Sequence, residues 1–505
     1  MPSASDSYHP GVAYPETVAE LSEALGRLLT AHGTPGNSGT VTVTGLRRLS
    51  GGASRETWSF NAVGEGDEPN GSDGTPRAMI LQRIQPGLAM GGPSLATEDA
   101  LLAAAAQCGV PVPLVVADTA AAATFVGAGR VTAHVDGETL GPRIVRQDAL
   151  ASARGVLAGQ CGRALAAIHS IDPAAVPGLI PVDTLGRLRA GLDLLGEARP
   201  TFEVALQWLD ANRPPRRRDA VVHGDFRIGN LIVDETGLRA VLDWELAHLG
   251  DPLEDLGWLC VRAWRFGGTG EVGGIAPLED LLSAYGEASG QDVDPHAVRW
   301  WIVAGTLTWG LICAVQARRH LDGHVRSVEL ATIGRRVCET EYDLLQLLDI
   351  SPPDPPDPPD PPDPPAPSDP PDPPDPPDGA DAAVAEPGMH GRPTAAELVE
   401  AVRGHLTDVV APELSGGSAF HLRVAGNALA IVERELRRGP DFAAANHARL
   451  TALGFADEAE LAAAIRTDGL DGRHDQLELL AAIRAAVTDR VRVANPGWLQ
   501  PPDLP

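Results

Sequence analysis

The chain has 505 residues, 43% of them hydrophobic and 21% charged, enough to bury large cores and to hold two or three domains. Its formal net charge of −28 argues against nucleic acid and anionic membrane as partners, because a phosphate-bearing surface would repel it overall. Cys108, Cys161, Cys260, Cys313 and Cys338 are scattered and form no C-x-x-C pair, which speaks against a zinc site or a disulfide framework and for a reducing cytoplasm. The opening MPSASDSYHP lacks a basic and an apolar region, so no signal peptide is expected. All 40 basic residues are arginine, so every lysine role must be filled by arginine.

Pro15 to Gly33 is predicted to open with a helix: Thr17 and Glu20 make a capping box, and Val18, Leu21, Leu25, Leu28 and Leu29 form a helical apolar stripe. Val41 to Leu49 and Glu56 to Ala62 are strands joined by Ser50-Gly51-Gly52-Ala53-Ser54. Backbone N–H groups in such a turn can cover phosphates, but adjacent glycines are also what a plain hairpin uses. Ala78 to Ile84 is the next strand, and Leu95 to Cys108 a helix carrying Glu98. Strands up to Val135 finish this β-rich part, with a crossing near Ala133 to Gly137.

Gln160 to Ile171 reads as a helix whose His169 is a core or capping residue. Arg216-Arg217-Arg218 reads as a solvated turn. Helices from Leu278 to Leu348 follow. Their most apolar run, Trp300 to Val315, reads as a buried helix too short to span a bilayer comfortably, with Trp300, Trp301 and Trp309 filling the core by default. From Pro352 to Asp378 the chain repeats Pro-Pro-Asp, which predicts an exposed polyproline II spacer; at roughly 3.1 Å per residue it reaches on the order of 80 Å. Beyond it, Thr394 to Leu414, Ser418 to Arg438, Asp441 to Leu453, Glu458 to Arg466 and Asp475 to Val493 are predicted amphipathic helices of a separate all-α domain with no catalytic constellation.

Chemistry concentrates in Val221 to Trp258. Ala220 to Val222 reads as a strand, His223 to Gly229 as a loop, and Leu231 to Val233 and Leu238 to Leu242 as a hairpin turning at Asp234-Glu235-Thr236-Gly237. This arrangement puts Asp225 and Asn230 on one loop and returns Asp243 beside them. Moving a γ-phosphoryl group needs a carboxylate to accept the proton of the attacking hydroxyl and hard oxygen ligands for Mg²⁺. Asp225 fits the first role, and Asn230 and Asp243 the second. The spacing is that of a kinase catalytic loop, H-x-D-x-x-x-x-N, with Gly224 in place of Arg. Arg227, inside the loop, is a candidate substrate or phosphate contact. His223, Asp251 and Asp255 are expected to brace the loop or cap the following helix.

HGDFRIGNLIVD, LDWE and GDPLEDLGW resemble the aminoglycoside phosphotransferase superfamily, and most of all its kinase-like branch fused to, or found beside, acyl-CoA dehydrogenases. The resemblance covers about residues 40 to 350. It implies an α+β, eukaryotic-protein-kinase-like two-lobed fold: an N-terminal helix (1–39), a small β-rich lobe (40–132), an α-rich lobe (133–350), the linker (351–389) and the all-α domain (390–505). It also implies an ATP- and Mg²⁺-dependent kinase acting on a hydroxyl of a small molecule, with a hydroxyacyl-CoA-type metabolite as acceptor by analogy. An antibiotic kinase and a nucleotide-binding pseudokinase stay open as alternatives.

In the same register, Gly51, Gly52 and Ser54 become candidates for the loop covering ATP. The branch usually shows a basic pair where this chain reads Gln82-Arg83, so Arg83 is the expected substitute for the phosphate-anchoring lysine, oriented by Glu98. A small accompanying helical domain of unknown role is implied at the C-terminus, as the place for a protein partner.

Overall fold

The computed structural model describes residues 17–32, 39–49, 55–64, 76–84, 92–215, 217–350, 392–470 and 475–500. The turn carrying Gly51, Gly52 and Ser54, and the Pro-Pro-Asp run, lie outside the described residues. The chain divides into two compact units, Met1–Arg187 with Asn212–Thr306 and Leu188–Ala211 with Leu307–Pro505.

The first unit opens with α1 (Val18–His32). Its capping box is formed: the Thr17 amide donates to Glu20 Oε2 at 3.0 Å and the Glu20 amide to Thr17 Oγ1 at 3.2 Å. The buried stripe of Leu21, Ala24, Leu25, Leu28 and Leu29 packs against an antiparallel sheet. That sheet holds β1 (Val41–Arg48), β2 (Glu56–Gly64), β3 (Arg77–Arg83), β4 (Val115–Ala117) and β5 (Gly129–Ala133), in the order β1-β2-β3-β5-β4. Along β3, Met79, Leu81 and Arg83 are buried on one face while Ile80 and Gln82 alternate to the other. The register sets Arg83 opposite Glu56 and Gln82 opposite Arg130. The helix α2 (Leu95–Gln107) begins at Ser94, whose Oγ accepts from the Thr97 amide at 3.1 Å, and buries Glu98.

After α3 (Thr119–Ala123) the chain leaves the sheet through Gly137. A Cβ there would come within 2.6 Å of Ile232 Cγ2 and 2.9 Å of Val233 O, so the crossing needs glycine. Then come α4 (Gly141–Arg146), α5 (Ala151–His169), α6 (Thr184–Leu195) and α7 (Pro200–Ala211). A short ladder pairs β6 (Ala220–Val222) with the later β9 (His248–Gly250), and β7 (Leu231–Asp234) pairs with β8 (Gly237–Val241). Gln160 on α5 pins that hairpin, accepting from the Leu238 amide at 2.7 Å and donating to Thr236 O at 3.1 Å. Next are α8 (Leu253–Cys260), α9 (Leu278–Ser289) and α10 (Pro295–Leu321). At 27 residues, α10 is long and apolar enough to cross a bilayer, so the expectation of a run too short to do so is corrected; 72% of its most apolar window is buried in protein, as in a core helix.

The second unit holds α7, the C-terminal part of α10, α11 (Val328–Gly334), α12 (Val337–Leu347), and then α13 (Ala395–Gly404), α14 (Gly416–Ala452), α15 (Glu458–Asp468) and α16 (Gln476–Ala494). The all-α domain expected after the linker is therefore present. It shares a core: Val204 of α7 and Cys338, Tyr342 and Leu345 of α12 cluster with Leu450, Leu461, Ile465, Leu479, Ile483, Val487 and Val491. One expectation is corrected. The break between Ser418 to Arg438 and Asp441 to Leu453 does not occur, because α14 runs on with Pro440 inside it. A mid-helix proline costs about 3 kcal/mol, and packing of the helix against α11, α13 and α16 outweighs that penalty.

Candidate active site

The loop from β6 to β7 carries Asp225 and Asn230, and its shape begins at Gly224. With φ of 79° and Leu246 O 2.4 Å from where a Cβ would sit, this position admits only glycine, which explains why it stands where protein kinases have Arg. Both loop amides are held from below, the His223 N–H donating to Asp255 Oδ2 at 2.8 Å and the Gly224 N–H to Asp255 Oδ1 at 2.9 Å. Asp255 is fully buried and also pairs with His169 Nε2 at 3.1 Å, while His169 Nδ1 meets the Tyr285 hydroxyl at 3.0 Å. Burial alone would raise the Asp255 carboxyl, but the hydrogen bond and charge of His169, with His223, hold it below the usual range.

His223 packs its ring on Trp244 and Phe226 and spans Leu242 O (3.0 Å) and the Asp225 amide (3.2 Å). Burial pushes its pKa down, so the ring is neutral, with Nε2–H donating to the carbonyl and Nδ1 accepting. His223 and Asp255 thus brace the loop, as the sequence suggested, and His169, read there as a core or capping residue, supports it through Asp255. Asp251 accepts from the Leu253 amide at 2.9 Å just ahead of α8, whose N-cap position is Pro252.

The Asp225 carboxylate accepts from three side chains. Trp258 Nε1 donates to Oδ1 at 2.8 Å, Asn230 Nδ2 to Oδ2 at 2.6 Å, and Arg227 Nε to Oδ1 at 3.0 Å and Oδ2 at 3.2 Å. Asn230 also donates to Asp225 O at 2.9 Å. The Arg227 guanidinium rests over the Trp264 ring, 5.0 Å from its centroid, and its side chain stays 26% exposed beside the carboxylate. Trp258 and Trp264 had no assigned role in the sequence reading. Trp258 lies in the GDPLEDLGW run, but nothing in one dimension says that its indole reaches back to Asp225.

Asp243 follows β8 in the left-handed region, φ 66°, a strained conformation for a non-glycine residue that functional sites retain. Burial first, then the charges of Glu245 and Asp225, raise its carboxyl to about 7. Such a crowd of carboxylates favours a cation. Among the described residues no three His, Cys, Asp or Glu side chains form a ready metal cage. Mg²⁺ does not need one, since it keeps waters and takes one or two carboxylates plus phosphate oxygens. Asn230 and Asp243, beside Asp225, fit that donor set.

The expected pairing of Arg83 with Glu98 is corrected. Arg83 lies on the core face of β3, where its Nε donates to Glu56 Oε2 at 2.7 Å and its guanidinium sits 5.9 Å from the Trp58 ring centroid. Glu98 is 1% exposed and is held instead by Arg55 and Arg130. Arg55 precedes β2 and lies 3.7 Å from Glu245 through Nε. Arg130 on β5 also pairs with Asp99 at 3.1 Å. Both arginines were missed. For Arg55 the available signal was its place directly after Gly51-Gly52-Ala53-Ser54 in a chain without lysine.

A small antiparallel sheet with a buried helical glutamate, joined through a glycine crossing to a helical lobe that holds Asp225, Asn230 and Asp243 on a strand–loop–hairpin, defines a kinase-like phosphotransferase. The chain belongs to the phosphotransferase enzyme family (APH), whose model matches residues 45–301. A second model, a domain of unknown function (DUF6285), matches residues 412–498. The mouse acyl-CoA dehydrogenase family member 10 is 45% identical over 64 residues, 12% of this chain and 6% of that protein. The human acyl-CoA dehydrogenase family member 11 is 34% identical over 97 residues, 17% of this chain and 12% of that protein. This chain thus matches only a small part of those relatives' length. A solved structure of a Ralstonia eutropha JMP134 protein assigned as an aminoglycoside phosphotransferase superposes with a TM-score of 0.50 at 20% identity, covering 65% of this chain and 98% of that one, which bears on the fold.

Proposed function

We propose that this small-molecule kinase moves the γ-phosphoryl group of ATP, with Mg²⁺, onto a hydroxyl of a hydroxyacyl-CoA-type metabolite. The observation that carries the transfer step is the Asp225 carboxylate, held by Trp258, Asn230 and Arg227 beside Asp243. The acceptor oxygen attacks the γ-phosphorus, the bond to the β–γ bridging oxygen breaks, ADP leaves, and the hydroxyl proton passes to Asp225. Asn230 and Asp243 would hold Mg²⁺, which would offset the negative charge of the phosphates. Asp255 keeps the loop amides aligned, so Asp225 needs little reorganisation as the transition state forms.

For the acceptor, two features support an anionic metabolite. Relatives named as acyl-CoA dehydrogenase family members contain a stretch like this one. The partly exposed cation beside the base is Arg227, suited to a phosphate or carboxylate, whereas a cationic antibiotic would call for a carboxylate there. The test is a mass-spectrometric screen of hydroxyacyl-CoAs and of metabolite extracts with ATP and Mg²⁺. A gain of one phosphate on a hydroxyacyl-CoA, lost in Asp225→Ala, is expected. Phosphate appearing only on a cationic drug would move the acceptor to the antibiotics.

A further inference from the structure

Phosphoryl transfer in this fold needs a cation beside the donor's inner phosphates, and the chain has no lysine to supply it. On the assumption that the phosphotransferase reading holds, we propose that Arg55 is that cation, with Glu98 as the residue that orients it and Arg130 as the residue that holds Glu98. Arg83, the basic residue of the strand where a kinase carries its lysine, is committed elsewhere. Its Nε is bonded to Glu56, which Arg48 also approaches at 3.4 Å, and its side chain is only 5% exposed on the face that Met79 and Leu81 share.

Arg55 stands in different company. One of its terminal nitrogens donates to Glu98 Oε2 at 2.7 Å and the other to Glu98 Oε1, a two-pronged pair that fixes the guanidinium plane. Its Nε lies 3.7 Å from Glu245 Oε2, and Asp243 is close enough to act on its charge. Arg55 therefore bridges the glutamate of α2 and the segment with the candidate metal ligand, the two groups between which a kinase lysine must stand. The Arg55 Nε is buried with no hydrogen-bond partner among the described residues, so it keeps a donor in hand. Sequence position agrees, since Arg55 directly follows the Gly51-Gly52-Ala53-Ser54 segment that the sequence marks as the candidate ATP-covering loop.

Glu98 in turn has a second anchor. Arg130, 2% exposed and opposite Gln82 in the sheet, donates to Glu98 Oε2 and pairs with Asp99. With Arg130 in place, Glu98 keeps a charged partner when Arg55 turns toward phosphate. An arginine fork contacts two oxygens where a lysine makes a point contact, so the substitution keeps the charge while changing the geometry.

Calorimetry on the full chain with ADP·Mg²⁺ and with adenosine separates phosphate contacts from base contacts. Arg55→Gln is expected to weaken ADP about ten- to hundredfold and leave adenosine within about twofold, while Arg83→Gln leaves the ratio of the two affinities unchanged. Should Arg55→Gln fail to fold, Glu98→Gln keeps the cation but loosens it, and is expected to weaken ADP and spare adenosine in the same way. ADP affinity unchanged in Arg55→Gln or, failing that variant, in Glu98→Gln, or a phosphate-specific loss in Arg83→Gln instead, overturns the assignment. No ADP binding by the unaltered chain would overturn the phosphotransferase reading itself, and with it the role given to Arg55.

Discussion

The Trp258 indole, on the helix that follows the hairpin, donates to the Asp225 carboxylate at 2.8 Å, so the residue proposed as proton acceptor is positioned from outside its own loop. Trp258→Phe keeps the buried ring and removes only this donor. A charge-assisted bond is worth about 1.5–3 kcal/mol, so turnover is expected to fall roughly ten- to hundredfold with ADP affinity little altered. Equal kcat in the two proteins would show that the indole only fills space.

Asp225 and Asp243 are expected to fail differently. Asp225→Ala should abolish transfer and leave nucleotide binding largely intact, because the proposed proton acceptor is gone while Asn230 and Asp243 remain. Asp243→Ala should weaken Mg²⁺-dependent ATP binding as well as turnover, since the proposed charged ligand is lost. Calorimetry with and without Mg²⁺ distinguishes them. An ATP affinity in Asp243→Ala that still responds normally to Mg²⁺ would remove Asp243 from the metal site.

These two carboxylates were legible because their relation is local: one loop and one hairpin bring Asp225, Asn230 and Asp243 together, and residue spacing reports such a geometry. The capping box of Thr17 and Glu20 was readable for the same reason. The partners of Glu98 were not, since Arg55 is 43 positions away and Arg130 is 32. Which of three arginines a buried glutamate takes depends on strand register and on which face alternation assigns to each. On β3 that alternation turned Arg83 toward Glu56. The unbroken α14 was hidden because Gly439-Pro440 is locally a stop signal and only tertiary packing overrides it.

Asp255 should report on loop integrity through pH. Its carboxyl is held below its ordinary value in the folded chain, so the stability it contributes is complete above the usual carboxylate range and is lost as pH falls through it. Asp255→Asn removes the charge that accepts from the His223 and Gly224 amides and pairs with His169, and is expected to cost about 2–3 kcal/mol near neutral pH. Thermal melts between acid and neutral pH would then show a smaller acid-induced loss in the variant than in the unaltered chain. Parallel pH profiles would mean that another group carries the acid sensitivity.

The C-terminal helices invite a last test, because their core is continued by residues on the other side of the linker. Val204, Cys338, Tyr342 and Leu345 bury against Leu450, Leu461, Ile465, Ile483 and Val487. Polar ties support the same junction: Arg484 donates to Ile350 O, Trp498 Nε1 to Asp343 Oδ1 at 2.9 Å, and Asn495 Nδ2 to Glu339 Oε1 at 2.8 Å. Buried leucine, isoleucine and valine side chains each contribute about 1.5–3 kcal/mol, so this contact should survive loss of the covalent connection. A protease site inserted after Ser368 is therefore expected to yield, on cleavage, two fragments that co-elute in gel filtration and melt close to the uncut chain. Deleting residues 392–505 should instead expose Tyr342 and Leu345 and lower the melting temperature of the rest or drive it to aggregate. Fragments that separate on cleavage, with the kinase-family part melting unchanged, would show that the shared core contributes little and that the helical domain is only tethered.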